Sequence, residues 1–432
     1  MNEYTKKLLT LIPGGAHTYS RGYDQFPSNA SALLKRGEGA YIYDVEDNEY
    51  LDYGMALRSV ILGYADEYVN EFVIENAIKM GNNLTRPSLI EIQAAELFVD
   101  LIPSIDMVKF AKNGSNATTA AVKLARAYTG RDLVARCIDH PFFSFDDWFI
   151  GSTVMDKGVP KAIKELTKTF KYGDLKDLER LFNEYPNQIA CVIMEPATTT
   201  HPPEGYLQNV KELCHKNGAL FILDEMITGF RWHLKGAQYY YDIEPDLCTF
   251  GKAMANGFSL AALGGKREIM KLGSIEFEGQ ERVFLLSTTH GAEMSALAAF
   301  IATLKIMEEK DVINHIWNYG KNLIKTMNDI AKEYGISDYF KAEGVECSPY
   351  YTTLDKNKEN SYPLRTLFNQ EMIKKGVFMP WIALSMSHKE VELEKTVEAL
   401  KHALKVYALA LEDGWEKYLQ GHIIKPVFRK YN

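Results

Sequence analysis

Short apolar runs alternate with amphipathic stretches through the middle of the chain. Met107–Ala111, Ile189–Met194 and Ala219–Leu223 have strand length and little internal polarity, whereas Ala120–Tyr128 repeats its apolar positions at helical spacing. Strands that alternate with helices predict an α/β fold with a mostly parallel sheet, covered on both faces. Near the start, Ala40–Val45 and Glu49–Tyr53 flank a turn at Asp47-Asn48, which predicts a β-hairpin. From about residue 320 the pattern mixes helices with a few strands and closes on a helical stretch over Lys389–Glu412. These shifts predict an N-terminal segment over 1–60, a large domain over 61–320, and a smaller C-terminal α+β domain over 321–432 that the N-terminal segment joins. No internal repeat or low-complexity tract interrupts them.

Composition narrows the class. With 46% apolar and 25% charged residues, the 432-residue chain can bury large cores. A formal net charge of -8 carries no nucleic-acid footprint. The five cysteines, Cys137, Cys191, Cys214, Cys248 and Cys347, form no CxxC pair and are odd in number. That argues against a disulfide framework or a metal site and for reduced thiols in a cytoplasmic protein. The opening residues hold no signal-peptide apolar core, and no run approaches membrane-spanning length.

The candidate chemistry lies at the ends of the apolar runs. One ends in Met194-Glu195-Pro196 and another in Leu223-Asp224-Glu225. Ligands of parallel sheets sit beyond the carboxyl ends of the strands, so these acids stand where chemistry is expected. Further on, Phe250-Gly251-Lys252 sets a lysine among apolar residues, with Gly257 and Gly264-Gly265 following. Such a lysine can act as an imine-forming amine. Asn113-Gly114-Ser115, ahead of the Ala120–Tyr128 helix, offers free amides, a hydroxyl and the positive end of the helix dipole to a phosphate. Each feature alone has a bland reading: an acid capping a helix, a solvated lysine, an ordinary N-cap. Together they meet the needs of pyridoxal 5'-phosphate (PLP), which requires a lysine for its aldehyde, an acid for its pyridinium nitrogen and a phosphate cradle.

In this order and spacing the residues resemble the class III aminotransferases, fold type I PLP enzymes, and within them the glutamate-1-semialdehyde aminomutase branch. The resemblance runs from Ile12-Pro13-Gly14-Gly15 through Asn113-Gly114-Ser115, Ala125–Arg131 and Met194-Glu195-Pro196. It continues over Asp224-Glu225-Met226-Ile227-Thr228-Gly229-Phe230-Arg231, Phe250-Gly251-Lys252 and Ser287-Thr288-Thr289-His290-Gly291. It implies a seven-stranded, mostly parallel sheet in the large domain. It also implies a homodimer with active sites at the subunit interface. By position, Lys252 is the Schiff-base lysine and acid/base, and Asp224 the pyridinium partner. Asn113, Gly114 and Ser115 cradle the phosphate, Glu195 lies near the substrate side, and Met226 packs on the ring. Thr288 reaches the neighbouring subunit's cofactor. The family's stacking aromatic falls in Asp139-His140-Pro141-Phe142-Phe143, where its usual motif is broken. Phe142 is the preferred stacker, with Phe143, His140 and a plain core role left open.

Departures cluster on the substrate side. Arg21 matches the aminomutase arginine that binds the substrate carboxylate, a task suited to a guanidinium. Ala56-Leu57-Arg58-Ser59 replaces a stretch with an active-site tryptophan and introduces Arg58 as a second candidate substrate residue. Phe378–His388 is shorter than its counterpart and lacks a glutamate, and 158–170 stands where the aminomutase has a mobile lid. The expected activity is therefore an intermolecular aminotransferase, from an amino-acid donor to an oxo-acid, aldehyde or sugar-like carbonyl acceptor. The alternatives are an aminomutase of the glutamate-1-semialdehyde type and a PLP racemase or epimerase.

Overall fold

Asp47, in the left-handed backbone region at φ 64°, closes a tight hairpin in the computed structural model, which describes residues 3–197, 199–291 and 293–432. The carboxylate of Asp44 accepts the Glu46 and Asn48 amides and so fixes the turn. Strand β1 is Leu34–Glu38, β2 is Tyr41–Asp44 and β3 is Glu49–Asp52, all antiparallel, with Tyr41 opposite Leu51.

The chain divides into two compact units, Met1–Asp66 with Asn314–Asn432, and Glu67–Ile313. The second is built on a seven-stranded sheet of β4 (Met107–Ala111), β5 (Leu133–Cys137), β6 (Thr167–Phe170), β7 (Ile189–Met194), β8 (Leu220–Glu225), β9 (Leu247–Phe250) and β10 (Ala261–Gly265), in the order β4-β10-β9-β8-β7-β5-β6. Every pairing from β9 to β6 is parallel; β10 alone runs against its neighbours β9 and β4. All residues of β5, β7, β8 and β9 are buried, as befits strands covered on both faces. The reversed strand needs its glycines: a Cβ on Gly264 would stand 2.4 Å from Ile105 Cδ1, and one on Gly265 2.5 Å from Leu247 Cδ2. Helix α1 (Gly114–Thr129) follows β4, and α2 (Met294–Glu309) is buried along most of its length.

The segment 158–170 departs from the lid expected by resemblance. Its last residues are β6, laddered in parallel to β5, and the Thr167 hydroxyl donates to the Trp148 carbonyl at 2.6 Å. A backbone paired into the central sheet is not a lid.

The first unit adds β11 (Phe340–Val345), β12 (Ser348–Thr353), α3 (Tyr362–Lys374), β13 (Val377–Phe378) and α4 (Glu390–Asp413). β13 pairs in parallel with β3, so the two ends of the chain share a sheet.

Candidate active site

Asp224 lies in the last turn of the pleat of β8, 1% exposed. Its Oδ1 accepts from the Thr249 hydroxyl at 2.9 Å and from the Met226 amide at 3.0 Å. Burial pushes its pKa up to about 6, against the opposing pull of the Lys252 charge. Lys252 follows the adjacent strand β9 and is held at φ 44°, a conformation that a non-glycine residue keeps only when its surroundings impose it. Neighbouring parallel strands thus deliver a lysine and a carboxylate to one edge of the sheet.

Glu225, next along β8, points to the other face, as alternate strand residues must. It accepts the Ala237 and Gln238 amides and the Thr228 hydroxyl, a structural anchor rather than part of the site.

Met226 fills the space between the two glycine turns. A Cβ on Gly114 would come 3.0 Å from its sulfur and one on Gly251 2.6 Å. Both glycines are therefore needed to bring the α1 start and the Lys252 turn against one thioether. Asn113 caps α1 by accepting the Asn116 amide at 3.0 Å. The Gly114 and Ser115 amides open the helix, where no carbonyl lies one turn earlier to receive them. The Ser115 hydroxyl accepts the Phe145 amide at 3.0 Å, and the Thr118 hydroxyl donates to the Phe143 carbonyl at 2.8 Å. These bonds dock the aromatic loop onto the same helix.

Within that loop burial separates the three aromatic candidates. Phe143 is 2% exposed and packs edge-on against Phe149. His140 is buried, its Nδ1 accepting the Glu195 amide at 3.0 Å, and burial lowers its pKa to about 3, so it is neutral. Phe142, 47% exposed, is the one with an open face. Glu195 is buried just beyond β7. Thr288 sits on an exposed loop, its carbonyl receiving the Gly291 amide.

Arg21 and Arg58 belong to the first unit. Nη1 of Arg58 donates to Ser348 Oγ at 3.0 Å and to the Ile382 carbonyl at 2.7 Å, so this arginine ties its own unit together. Arg21 lines a cavity of about 900 Å³ with Tyr64 and Trp381. There the buried Asp52 accepts the Tyr64 hydroxyl at 2.6 Å. Reading the sequence missed Thr249 and the Asp52–Tyr64 pair. A lone hydroxyl inside a fully apolar strand was the one available signal for Thr249.

The family model for aminotransferase class-III matches residues 19–378. This chain belongs to that family. Among class III relatives, the glutamate-1-semialdehyde 2,1-aminomutase of Wigglesworthia glossinidia brevipalpis is 31% identical over 94% of this chain and 98% of its own length. The enzyme of that name from Clostridium tetani is 32% identical over 92% and 99%. Solved structures share the fold. The FumI protein of Sphingopyxis sp. MTA144, solved with PLP, superposes with a TM-score of 0.86 at 24% identity, over 95% of this chain and 97% of that one. A glutamate-1-semialdehyde aminomutase from Pseudomonas aeruginosa PAO1 does so at 0.82 and 18%, over 93% of each. The cofactor is PLP. The residues present fit it: a carboxylate buried at the end of β8 has the Lys252 charge acting on it, and two glycines hold a cradle that a Cβ would fill.

Proposed function

We propose that this class III enzyme moves an amino group within one carboxylate-bearing substrate, in the manner of a glutamate-1-semialdehyde aminomutase, from the carbon beside an aldehyde to the aldehyde carbon. The observation that carries amino transfer is the buried Asp224 carboxylate with the Lys252 charge beside it. The names of relatives at 31–32% identity over nearly the full chain support the intramolecular form.

PLP, held by Lys252 until the substrate nitrogen displaces that lysine, would supply an electron sink that makes the carbon bearing the nitrogen acidic. The Lys252 amine takes and returns the proton at that carbon. Asp224, desolvated and held by Thr249 and Met226, keeps a negative charge against the ring nitrogen. The Gly114 and Ser115 amides hold the phosphate. Phe142 covers one ring face and Met226 fills in behind the cradle. Glu195 stands on the substrate side, anchored through its amide to neutral His140. Arg21 receives the substrate carboxylate. Thr288 reaches the cofactor of a second subunit, and the exposed Ile78, Leu84, Leu89 and Ile92 support a homodimer. No helix among the described residues is long and apolar enough to cross a membrane. With five buried free cysteines, that supports a cytoplasmic enzyme.

A second reading, intermolecular transamination, is favoured by the tie of Arg58 to Ser348 and Ile382, where the aminomutase pattern has its tryptophan stretch. The test is direct. Borohydride reduction of the yellow holoenzyme is expected to fix a pyridoxyl group on the Lys252 peptide. Supplied with glutamate-1-semialdehyde alone, the enzyme is expected to yield 5-amino-4-oxopentanoate with no second amino donor or acceptor consumed. Release of 2-oxoglutarate from glutamate moves the assignment to transamination, and a colourless protein indifferent to added PLP overturns both.

A further inference from the structure

The class III match ends at residue 378, yet the last residues of the chain are built into the first unit with unusual care. The side chain of Gln370, fully buried on α3, donates to the Tyr418 carbonyl at 3.0 Å and accepts the Gln420 amide at 2.7 Å. The Ile424 amide donates to the Thr366 hydroxyl at 3.0 Å. Past these anchors the tail grips the segment that carries Arg21. His422 Nε2 faces the Tyr23 and Phe26 carbonyls at 3.2 and 3.0 Å, its Nδ1 meets Ser28 Oγ at 2.9 Å, and its amide donates to that same oxygen at 3.1 Å. The Lys425 amide donates to the Asp24 carbonyl at 2.9 Å, and the half-buried Arg429 pairs with the Asp24 carboxylate at 2.6 Å.

Fit at the crossing is tight. Gly421 has φ 83°, and a Cβ there would stand 2.0 Å from Ser28 Oγ. The segment so held is two short 3₁₀ turns, Tyr19–Arg21 and Tyr23–Gln25, with no buried residue of their own. Without core contacts they cannot fix a side chain by packing. Gly421 and His422 also line the same cavity of about 900 Å³ as Arg21, Tyr23, Tyr64 and Trp381.

We propose that the C-terminal segment 418–432 is a strap that positions Arg21 for its anionic ligand, with His422 as the positioning residue and Gly421 the point where the strap passes Ser28. This rests on the reading of Arg21 as the carboxylate site. The strap touches the carbonyls on both sides of the Tyr23–Gln25 turn, so it sets where the preceding arginine stands without meeting the ligand's anion itself. His422 Nε2 donates to those carbonyls, which an amide can imitate and a benzyl ring cannot.

The full-length holoenzyme tests this through two readouts. Trp381 lines the cavity, so its fluorescence, taken as the difference from Trp381→Phe, reports binding of 4-oxopentanoate, a carboxylate with no amine to react. Turnover of glutamate-1-semialdehyde, or of the amine donor found active, separates half-saturation from limiting rate. Arg21→Gln is expected to weaken both binding measures by about tenfold or more, the loss of a charge-assisted pair. His422→Phe, Gly421→Ala and a chain ending at Leu419 are expected to weaken them about three- to tenfold with the limiting rate held within about twofold, and His422→Gln to restore most of the loss. Thermal melting checks folding. If the shortened chain fails to fold, His422→Phe and Arg429→Gln decide. Unchanged binding in the strap variants beside an impaired Arg21→Gln overturns the strap and leaves the function intact. Unchanged binding in Arg21→Gln overturns the carboxylate site and the strap with it.

Discussion

Asp224 is destabilising where it stands, a cost that its proposed role beside the cofactor accounts for. Its pKa rises from 3.8 to about 6 because burial outweighs the favourable Lys252 charge and its two hydrogen bonds. A carboxyl raised in the folded state lends stability at a pH below its unfolded value, and that contribution is lost as pH climbs through about 6. At pH 8 the ionised form then costs the cofactor-free protein up to about 3 kcal/mol. Asp224→Asn is therefore expected to raise the melting temperature of the cofactor-free protein at pH 8, with the gain fading near pH 4. The same variant is expected to bind PLP more weakly and turn over far more slowly. Calorimetry at the two pH values checks the first outcome; equal melting shifts at both would contradict it. Thr249 helps to hold the carboxylate in place, since its hydroxyl and the Met226 amide both donate to Oδ1. His140 has the opposite fate. Its nitrogen accepts a backbone amide and burial keeps it neutral, so it orients Glu195 instead of moving protons.

The site depends on how elements end. β8 and β9 run side by side and stop together, so Asp224 and the Lys252 turn emerge at one edge. The glycine turns then bring α1 and the lysine onto Met226. β10 closes the sheet from the opposite direction, and its glycines decide how closely it packs. Gly264→Ala sets a methyl 2.4 Å from Ile105 Cδ1. It is expected to cost about 1–3 kcal/mol, the usual penalty for overpacking, measurable by denaturant titration of the cofactor-free protein. The strands β4, β7 and β8 were legible in the sequence because their runs are mostly apolar, interrupted only by Lys109 in β4 and closed by Asp224-Glu225 in β8. β6, Thr-Lys-Thr-Phe, was not: half its residues are only partly buried, as suits the outermost strand, and by resemblance its position matched a lid.

For the molecule as a whole, the face carrying Ile78, Leu84, Leu89 and Ile92 is the surface a second copy would cover in the proposed homodimer. Leu89 is 71% exposed and Ile92 55%, and the two stand three residues apart on one helix, Leu89–Leu101, so they share a side of it. The double substitution Leu89→Glu and Ile92→Glu is expected to shift the protein to a monomer in light scattering and to lower PLP retention, since Thr288 then has no neighbouring cofactor to reach. A dimer that persists with full cofactor would contradict the assignment of this face.

Local chemistry was readable from residue order alone: a lysine after a buried strand, an acid at the end of another, a Gly-Ser turn opening a helix. Each depends on a few consecutive residues, and backbone geometry carries those side chains to a known end of a parallel sheet. The hairpin at Asp47 was readable for the same reason. What no local pattern contained was partnership across long stretches of chain. The sequence could not tell that Arg58 is taken up by Ser348 and Ile382, that Phe142 and not Phe143 keeps an open face, or that His422 grips the Tyr23 turn. Those outcomes follow from packing, where burial, and the need of each buried donor for an acceptor, are settled only once the distant segments have met.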